Sequence, residues 1–203
     1  MEMSSQDRER ITAAIRAVEE KTTGEIACVL AEQSSDSGAL PILLAALAAL
    51  AAPWFLVAFS ALPVLTILSW QLVVFVALAV LLCLPRVRVA LIPRRARRAM
   101  AFRVATEQFF TRAVSRKRDR SGILIFVSLA EHYARIIADD GIAARVPQSR
   151  WQGAVDALVA HTREGRFADG FIAAIDMCET VLVEHFPRTD DSPNELPDRV
   201  HFI

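Results

Sequence analysis

Three aspartates are the side chains whose type and position best suit a bound ion. Asp139 and Asp140 end a predicted strand and precede Gly141, and Asp169 stands with Gly170 at a predicted helix entry. Carboxylates and turn carbonyls that converge are the ligands that hard cations such as Ca²⁺ or Mg²⁺ prefer. The sequence therefore makes these aspartates candidate ligands of a divalent cation, although it makes no cofactor certain. An ordinary turn and a helix cap are the commoner uses of the same residues.

A second polar group lies at the tip of a predicted β-hairpin. Glu131 and His132, with Arg135 nearby, have the residue types of an acid/base pair or a phosphate contact, and a solvated hairpin tip is the competing interpretation. The other three histidines lack metal-ligand spacing. The sequence contains no P-loop, no G-x-S-x-G, no H-E-x-x-H and no dinucleotide-binding glycine pattern. Whether the chain is an enzyme therefore stays open at this stage.

The three cysteines show no spacing that indicates a metal site or a redox pair. Cys28, Cys83 and Cys178 each fall in an apolar segment and form no C-x-x-C motif. We expect them to be buried reduced thiols. Their odd number agrees with a reducing compartment.

The longest element that must position these residues is an uninterrupted apolar segment. Residues 39–84 contain no Asp, Glu, Lys, Arg or His, and the segment is about twice the length that crosses a bilayer once. It predicts a helical hairpin, with helices near residues 39–57 and 66–84. A buried hairpin in a soluble protein would need more surrounding chain. A re-entrant hairpin bent at Pro53 and Pro63 is the stronger alternative.

Arginines cluster directly after the apolar segment and predict its orientation. Short basic flanks stay in the cytoplasm, so we expect a multi-pass protein of the inner membrane with its soluble domain in the cytoplasm. Next to the membrane such a cluster favours contact with anionic lipid headgroups. It does not indicate nucleic acid, which is the competing partner of basic clusters. The predicted lipid contacts are Arg86, Arg88, Arg94, Arg95, Arg97 and Arg98.

The remaining segments alternate between helix and strand patterns. Periodicity and turn residues predict an α/β fold in which helices flank a small sheet. The predicted elements are a helix ending near Lys21, a strand at 25–32, a helix at 94–114, strands at 122–129 and 134–139 paired as a hairpin, a helix at 147–163 and a last helix from about 168.

The first strand cannot bury both of its faces without the later ones. We therefore predict one domain that the transmembrane hairpin interrupts. Residues 1–38 form its first part, residues 39–85 the hairpin, residues 86–187 the remainder, and residues 188–203 an extended tail. The last five residues of this tail are candidates for an edge strand.

An ordered set of motifs in the soluble segments resembles the TPM domain family. The motifs are TTGEIACVL at the first strand, SGILIFVSLAEHYARIIADDGI over the hairpin, and REGRFADGFIAAIDMCETVLVEHFP at the last helix. The resemblance implies a small sheet with helices on both faces, and it implies that Asp139 and Asp140 occupy a turn that the family uses. Some relatives are credited with a phosphatase activity. Many members lie outside the cytoplasm and are anchored behind the domain, unlike the arrangement predicted here.

Two functions of different classes follow. The first is a membrane-anchored, non-catalytic module that binds or assembles other membrane proteins at the inner face. A homo-oligomer is compatible with it. The second is a phosphatase-like hydrolase that depends on a divalent cation at Asp139 and Asp140. If the chain is the interaction module, small side chains of the hairpin would pack on partner helices. These side chains are Ala45, Ala46, Ala48, Ala49, Ala51 and Ala52.

Overall fold

The described chain divides into two compact units. A computed structural model describes residues 3–34, 39–60, 62–84, 87, 90–112, 120–188 and 200–203. One unit comprises residues 1–34 with 98–203, and the other comprises residues 35–97.

The first unit is built on a four-stranded sheet in the order β3-β2-β1-β4. Strand β1 (Glu25–Ala31) pairs in parallel with β2 (Gly122–Ser128) and with β4 (Val200–Phe202), and β2 pairs antiparallel with β3 (Tyr133–Ala138). All residues of β1 and β2 are buried, as their continuous apolar runs predict for central strands. Their pairing confirms that segments before and after the apolar hairpin build one sheet.

Three helices cover one face of this sheet. They are α1 (Ser5–Glu19), α6 (Gln152–Arg163) and α7 (Phe167–His185). Ser4 caps α1, since its side chain accepts a hydrogen bond from the Asp7 N–H. The alternation of side chains along each strand sends every second residue of β1 and β2 into this core. The strand residues concerned are Ile26, Cys28, Leu30, Ile123, Ile125 and Val127.

A fourth helix covers the opposite face. Helix α4 (Arg94–Thr111) packs Ala105 and Phe109 into a second core that contains Val29 and Phe126 of the central strands. Phe126 is fully buried there. The expectation of a small sheet with helices on both faces is therefore confirmed.

Two glycines stand where other elements approach the backbone closely. A Cβ on Gly24 would lie 2.6 Å from Leu182 Cδ2, and one on Gly170 would lie 3.1 Å from the Leu158 carbonyl oxygen. The first glycine lets α7 pack on the entry to β1, and the second lets α7 pack on α6. Thr22 fixes the same entry, because its hydroxyl accepts a hydrogen bond from the Gly24 N–H at 3.0 Å. These contacts explain the T-G-E-I and F-A-D-G motifs in physical terms.

The segment after β3 differs from the sequence prediction. Instead of a simple turn at Asp139–Gly141, a one-turn helix α5 (Asp140–Ala143) begins, and Asp139 caps it by accepting a hydrogen bond from the Asp140 N–H. A 3₁₀ turn (Gln148–Trp151) then precedes α6, where the sequence predicts a single helix from 147. Residues 189–199 of the predicted tail lie outside the described residues, while the edge strand predicted at its end is present as β4.

The second unit is a helical hairpin. Helices α2 (Ala39–Phe59) and α3 (Val64–Cys83) are each long and apolar enough to cross a membrane by length and composition. Pro53 lies inside α2 and Pro63 precedes α3 as its N-cap residue. The helix bounds agree with the predicted hairpin to within two residues at each end.

Small residues of α2 pack within the hairpin itself. Ala45 is fully buried and Ala49 is 4% exposed, whereas Ala48 and Ala51 are exposed. Spacing by four residues places Ala45 and Ala49 on one face, where their small side chains let two helices approach closely. The expectation that all six alanines face partner helices is therefore wrong for these two.

A leucine at position 45 should destabilise the hairpin, while a leucine at position 48 should not. Overpacking a filled interface costs about 1–3 kcal/mol, and Ala45 is buried whereas Ala48 faces outward. The measurement is the SDS concentration at which energy transfer between labels at residues 42 and 81 is lost. Equal midpoints for Ala45→Leu and Ala48→Leu would contradict this packing.

Candidate functional site

The carboxyl ends of the two central strands bring together polar residues that are distant in sequence. Ser34 follows β1, Ser128 ends β2, and Glu131 lies in the turn between β2 and β3. All three are buried. Ligands of sheets with parallel strands bind preferentially beyond these strand ends, so the location is a candidate site by its topology.

The three side chains form a hydrogen-bonded chain. The Glu131 carboxylate accepts hydrogen bonds from the Ser34 N–H at 3.0 Å and from the Ser128 hydroxyl. The hydroxyls of Ser34 and Ser128 lie 2.7 Å apart. Because Ser128 has one hydroxyl proton and gives it to Glu131, Ser34 must be the donor to Ser128. This network ties the end of β1 to the turn after β2 and thereby shapes the rim of the neighbouring pocket.

A pocket of about 320 Å³ opens beside this network. It lies between the start of β3, the end of α6 and the start of α7. Such a volume is at the lower end of the range for small-molecule or side-chain sites. Its apolar and aromatic lining residues are Val127, Leu129, Tyr133, Ala134, Val159 and Phe167.

The polar residues that line the pocket give it a basic rim. Arg163 ends α6 and His132 lies in the β2–β3 turn, and both are exposed. Ser128 and Thr162 contribute hydroxyls whose protons are already donated, that of Ser128 to Glu131 and that of Thr162 to the Leu158 carbonyl oxygen at 2.7 Å. None of the described residues that line the pocket is acidic. The pocket therefore suits an apolar group joined to an anionic one.

Backbone donors near Ser128 are committed to the fold. The N–H groups of Leu129, Ala130 and His132 donate to the carbonyl oxygens of Ala31, Glu32 and Leu129 at 3.0–3.1 Å. An acyl-transfer site needs such donors aimed at the developing oxyanion. These three N–H groups are therefore not free to stabilise an oxyanion beside the Ser128–Glu131 pair.

The group predicted from Glu131, His132 and Arg135 is divided by the sheet. Arg135 alternates with Ala134 along β3 and points to the face covered by α4, where its guanidinium lies 4.6 Å from the ring centre of Phe102. Ala134 lines the pocket on the other face. His132 therefore lines the pocket, whereas Arg135 lies on the opposite face of the sheet.

Asp139 and Asp140 are neighbours with different environments. Asp139 is 4% exposed, and its Oδ2 is buried without a hydrogen-bond partner among the described residues. Burial raises the pKa of the Asp139 carboxyl above its usual range, although the Asp140 N–H opposes this shift. Asp140 is exposed and pairs with Arg120 at 2.8 Å. One buried oxygen here is thus open to a proton or a cation.

Asp169 is engaged by two arginines on the surface. Its carboxylate lies 2.7 Å from the Arg10 guanidinium and 3.6 Å from that of Arg166. The hydrogen bond from Arg10 holds the pKa of Asp169 below its usual range. Within the described ranges, no three His, Cys, Asp or Glu side chains form a group that could hold a metal ion. Cation binding by these three aspartates stays a prediction.

The arginine cluster is only partly described. Arg86 and Arg88 lie outside the described residues. Arg94, Arg95 and Arg98 are exposed on α4, whereas Arg97 is half-buried. The exposed arginines are therefore sterically available to an anionic surface, and the lipid contact itself stays a prediction.

The cysteines follow the expectation of buried thiols in two cases of three. Cys28 and Cys178 are buried in the core between β1 and α7, and Cys83 at the end of α3 is exposed. Burial raises the pKa of the Cys178 thiol to about 12 and that of Cys28 well above its ordinary value. Both core thiols therefore stay protonated at neutral pH and act as small apolar side chains.

The sequence did not point to three residues of the pocket region. Ser34, Ser128 and Arg163 have no distinctive motif, and the first two are 94 residues apart. Their only signal was their position at the ends of predicted elements. The strand register that unites them is not visible without the fold.

Asparagine at position 139 should change how stability depends on pH. Because the pKa of Asp139 is raised in the folded state, the unfolded chain loses this proton first as pH rises, so the stability of the wild type falls until pH passes the raised value. Asp139→Asn removes the titration and keeps a capping oxygen. Urea unfolding between pH 3 and 7 measures the free energy of unfolding, which should rise for the variant relative to the wild type as pH rises. A difference in this free energy that does not change with pH would contradict a raised pKa.

Comparisons with known proteins give one matching family model and two similar solved structures. A family model described as the TPM domain matches residues 85–181. The solved structure of the BA42 protein from the psychrophilic bacterium Bizionia argentinensis superposes with a TM-score of 0.63 at 18% identity, over 100% of this chain and 96% of that chain. The N-terminal domain of a protein from P. gingivalis gives a TM-score of 0.48 at 14% identity, over 92% and 82%. No curated protein matches the chain.

Proposed function

Because this chain contains a TPM domain and two helices that are long and apolar enough to span a membrane, we propose that it is a membrane-anchored interaction module. Its hairpin lies in the inner membrane as a multi-pass anchor, and its α/β unit lies in the cytoplasm. There it binds or helps to assemble other membrane proteins without catalysing a reaction.

The exposed apolar surface of the hairpin carries this proposal. Only 11% of the most apolar part of α2 and 6% of that of α3 are buried. Leu47 is 55% exposed, Phe55 67% and Val76 51%, although all three are strongly apolar. A surface of this size and composition is stable in lipid or against other helices rather than in water.

Partner contact can be tested by photo-crosslinking from the hairpin. A photoreactive amino acid at Leu47 should yield discrete adducts with other membrane proteins, because this side chain faces outward. The matched control is the same amino acid at Ala45, which is buried against α3 and should react within the chain. If the amino acid at position 47 forms adducts with lipid alone, the hairpin only attaches the protein to the membrane, and the proposed contact with partner proteins is refuted.

The proposed orientation has an independent test. Ser60 lies at the end of α2, so a cysteine there, in a chain without native cysteines, should react with an impermeant reagent added outside the cell. A cysteine at Arg150 should react only in inside-out vesicles. Labelling of position 60 only from the inside would refute the proposal that the hairpin crosses the membrane.

Replacement of Arg94, Arg95 and Arg98 by glutamine should weaken association of the protein with anionic vesicles if these arginines contact lipid.

A cation-dependent phosphatase is the second candidate. The Oδ2 of buried Asp139, which has no hydrogen-bond partner among the described residues, favours it, since a carboxylate oxygen without a donor gains from a bound cation. The residues that would hold the ion are Asp139 and Asp140, and the ion would polarise a phosphoryl oxygen. Among the described residues no third His, Cys, Asp or Glu side chain forms a group with them, so backbone carbonyls or water would complete the coordination shell.

The paired variant Asp139→Ala with Asp140→Ala separates the candidates. If the cation site is real, Ca²⁺ or Mg²⁺ raises the melting temperature of the wild type and not of this variant. Asp156→Ala, on the exposed face of α6, is the control. Negligible phosphatase rates for both wild type and variant would remove the enzyme, whatever the cation does to stability.

A further inference from the structure

The edge of the sheet and the pocket described above meet at the start of β3. We propose that this meeting point binds the carboxyl-terminal end of an extended peptide, whose last side chain is apolar and enters the pocket. The inference rests on the proposed function as an interaction module and names the chemistry of its partner.

Strand β3 presents backbone groups to such a peptide. Among the described strands it is an edge strand, with β2 as its neighbour. The Asp139 N–H donates to the Gly122 carbonyl oxygen on β2 at 2.9 Å, and backbone groups alternate in direction along an antiparallel strand. Ala134, Ile136 and Ala138 therefore direct their N–H and C=O groups away from β2.

The outward groups are not equally available. The Ile136 carbonyl oxygen accepts a hydrogen bond from the Gln148 side chain at 3.2 Å. That contact limits an added strand to the first part of β3, around Ala134. Ala134 also lines the pocket. A peptide that pairs with the Ala134 backbone would consequently place one side chain into the pocket, which is the arrangement of strand-addition recognition.

The charge of the rim selects a free carboxylate. The side chain of Arg163 has neither an ion pair nor a hydrogen bond with any described residue, and His132 lines the same pocket. The carbonyl oxygens of His161 and Thr162, at the end of α6, already accept N–H groups of Glu164, Gly165 and Arg166 at 3.0–3.1 Å. The guanidinium is therefore not needed to satisfy the helix end and can bind a carboxylate.

The test is a binding assay with the full chain in lipid nanodiscs. The probe is a fluorescent hexapeptide of sequence GSTVSL with a free carboxyl end, and its matched partner is the same peptide as the amide. Fluorescence anisotropy should show the acid binding at least about tenfold more tightly, because a charge-assisted hydrogen bond is lost in the amide. A final aspartate in place of leucine should also weaken binding.

Variants of protein and peptide identify the contacts. Arg163→Gln should abolish the preference for the acid, whereas Arg150→Gln, at an exposed arginine outside the pocket lining, should keep it. N-methylation of the peptide amides tests the strand pairing without changing the protein, and should weaken binding about fivefold or more for each hydrogen bond lost.

Three outcomes would overturn the inference. The first is equal affinity for acid and amide, or no binding by any peptide of the series. The second is an acid preference that survives Arg163→Gln. The third is N-acetyl-leucine binding as tightly as the hexapeptide, which would make the pocket a small-molecule site. None of these affects crosslinking from Leu47, so failure here and failure of the proposed function are distinguishable.

Discussion

Replacing residues 39–84 with a flexible linker should move the chain from the membrane to the soluble fraction and leave the four-stranded sheet folded. The hairpin carries the exposed apolar surface, whereas β1 and β2 pair over seven residues within the other unit. A linker of about 20 residues should suffice, because the entropy of loop closure grows slowly with length. Carbonate extraction measures the location, and hydrogen exchange at residues 26–30 and 123–127 measures the sheet.

A chain with an unrelated apolar hairpin at the same position is the control. It should return to the membrane with the same exchange protection. Two results would contradict the prediction. Retention of the linker variant in the membrane pellet would mean that another segment is the anchor. Loss of protection in β1 would mean that the sheet needs the hairpin to form.

Alanine at position 126 should lower the free energy of unfolding by about 3–5 kcal/mol. Phe126 is fully buried between the sheet and α4, in the core that also holds Ala105 and Phe109. Truncation removes a large apolar surface from this core and leaves a cavity that helix and sheet cannot close completely. Chemical denaturation followed by circular dichroism in the linker variant gives the value without interference from the hairpin.

The matched control is Phe110→Ala on α4. Phe110 is 59% exposed and makes a T-shaped contact with the Phe109 ring. Its truncation should cost less than about 1 kcal/mol. Similar costs at positions 110 and 126 would show that α4 does not cover this face of the sheet.

Elements that depend on local pattern were predictable from the sequence. The continuous apolar run from Gly122 identified a central strand, and the charge-free segment 39–84 identified a helical hairpin. Asp139 and Gly141 indicated a turn, but the cap that Asp139 provides converted it to a helical turn. The residue types thus predicted where β3 ends, but they did not predict the one-turn helix that follows it.

Contacts that depend on register were not predictable. Arg135 and His132 are three residues apart, yet the alternation of β3 places Arg135 on the face opposite the pocket. Asp169 meets Arg10 across 159 residues of sequence. In the hairpin, composition identified the small residues of α2, but only the pairing with α3 showed that Ala45 faces inward.

The parallel pairing of β1 with β2 imposes an order on biosynthesis. Residues 25–31 leave the ribosome well before residues 122–128, with the whole apolar hairpin in between. At ordinary translation speeds the delay is roughly 5–20 s. For that time β1 lacks the neighbour that buries it, while the whole hairpin has already been synthesised. If the hairpin inserts into a membrane as proposed, it would reach the bilayer before the sheet can close, and a chaperone that shields an early strand would act during this interval.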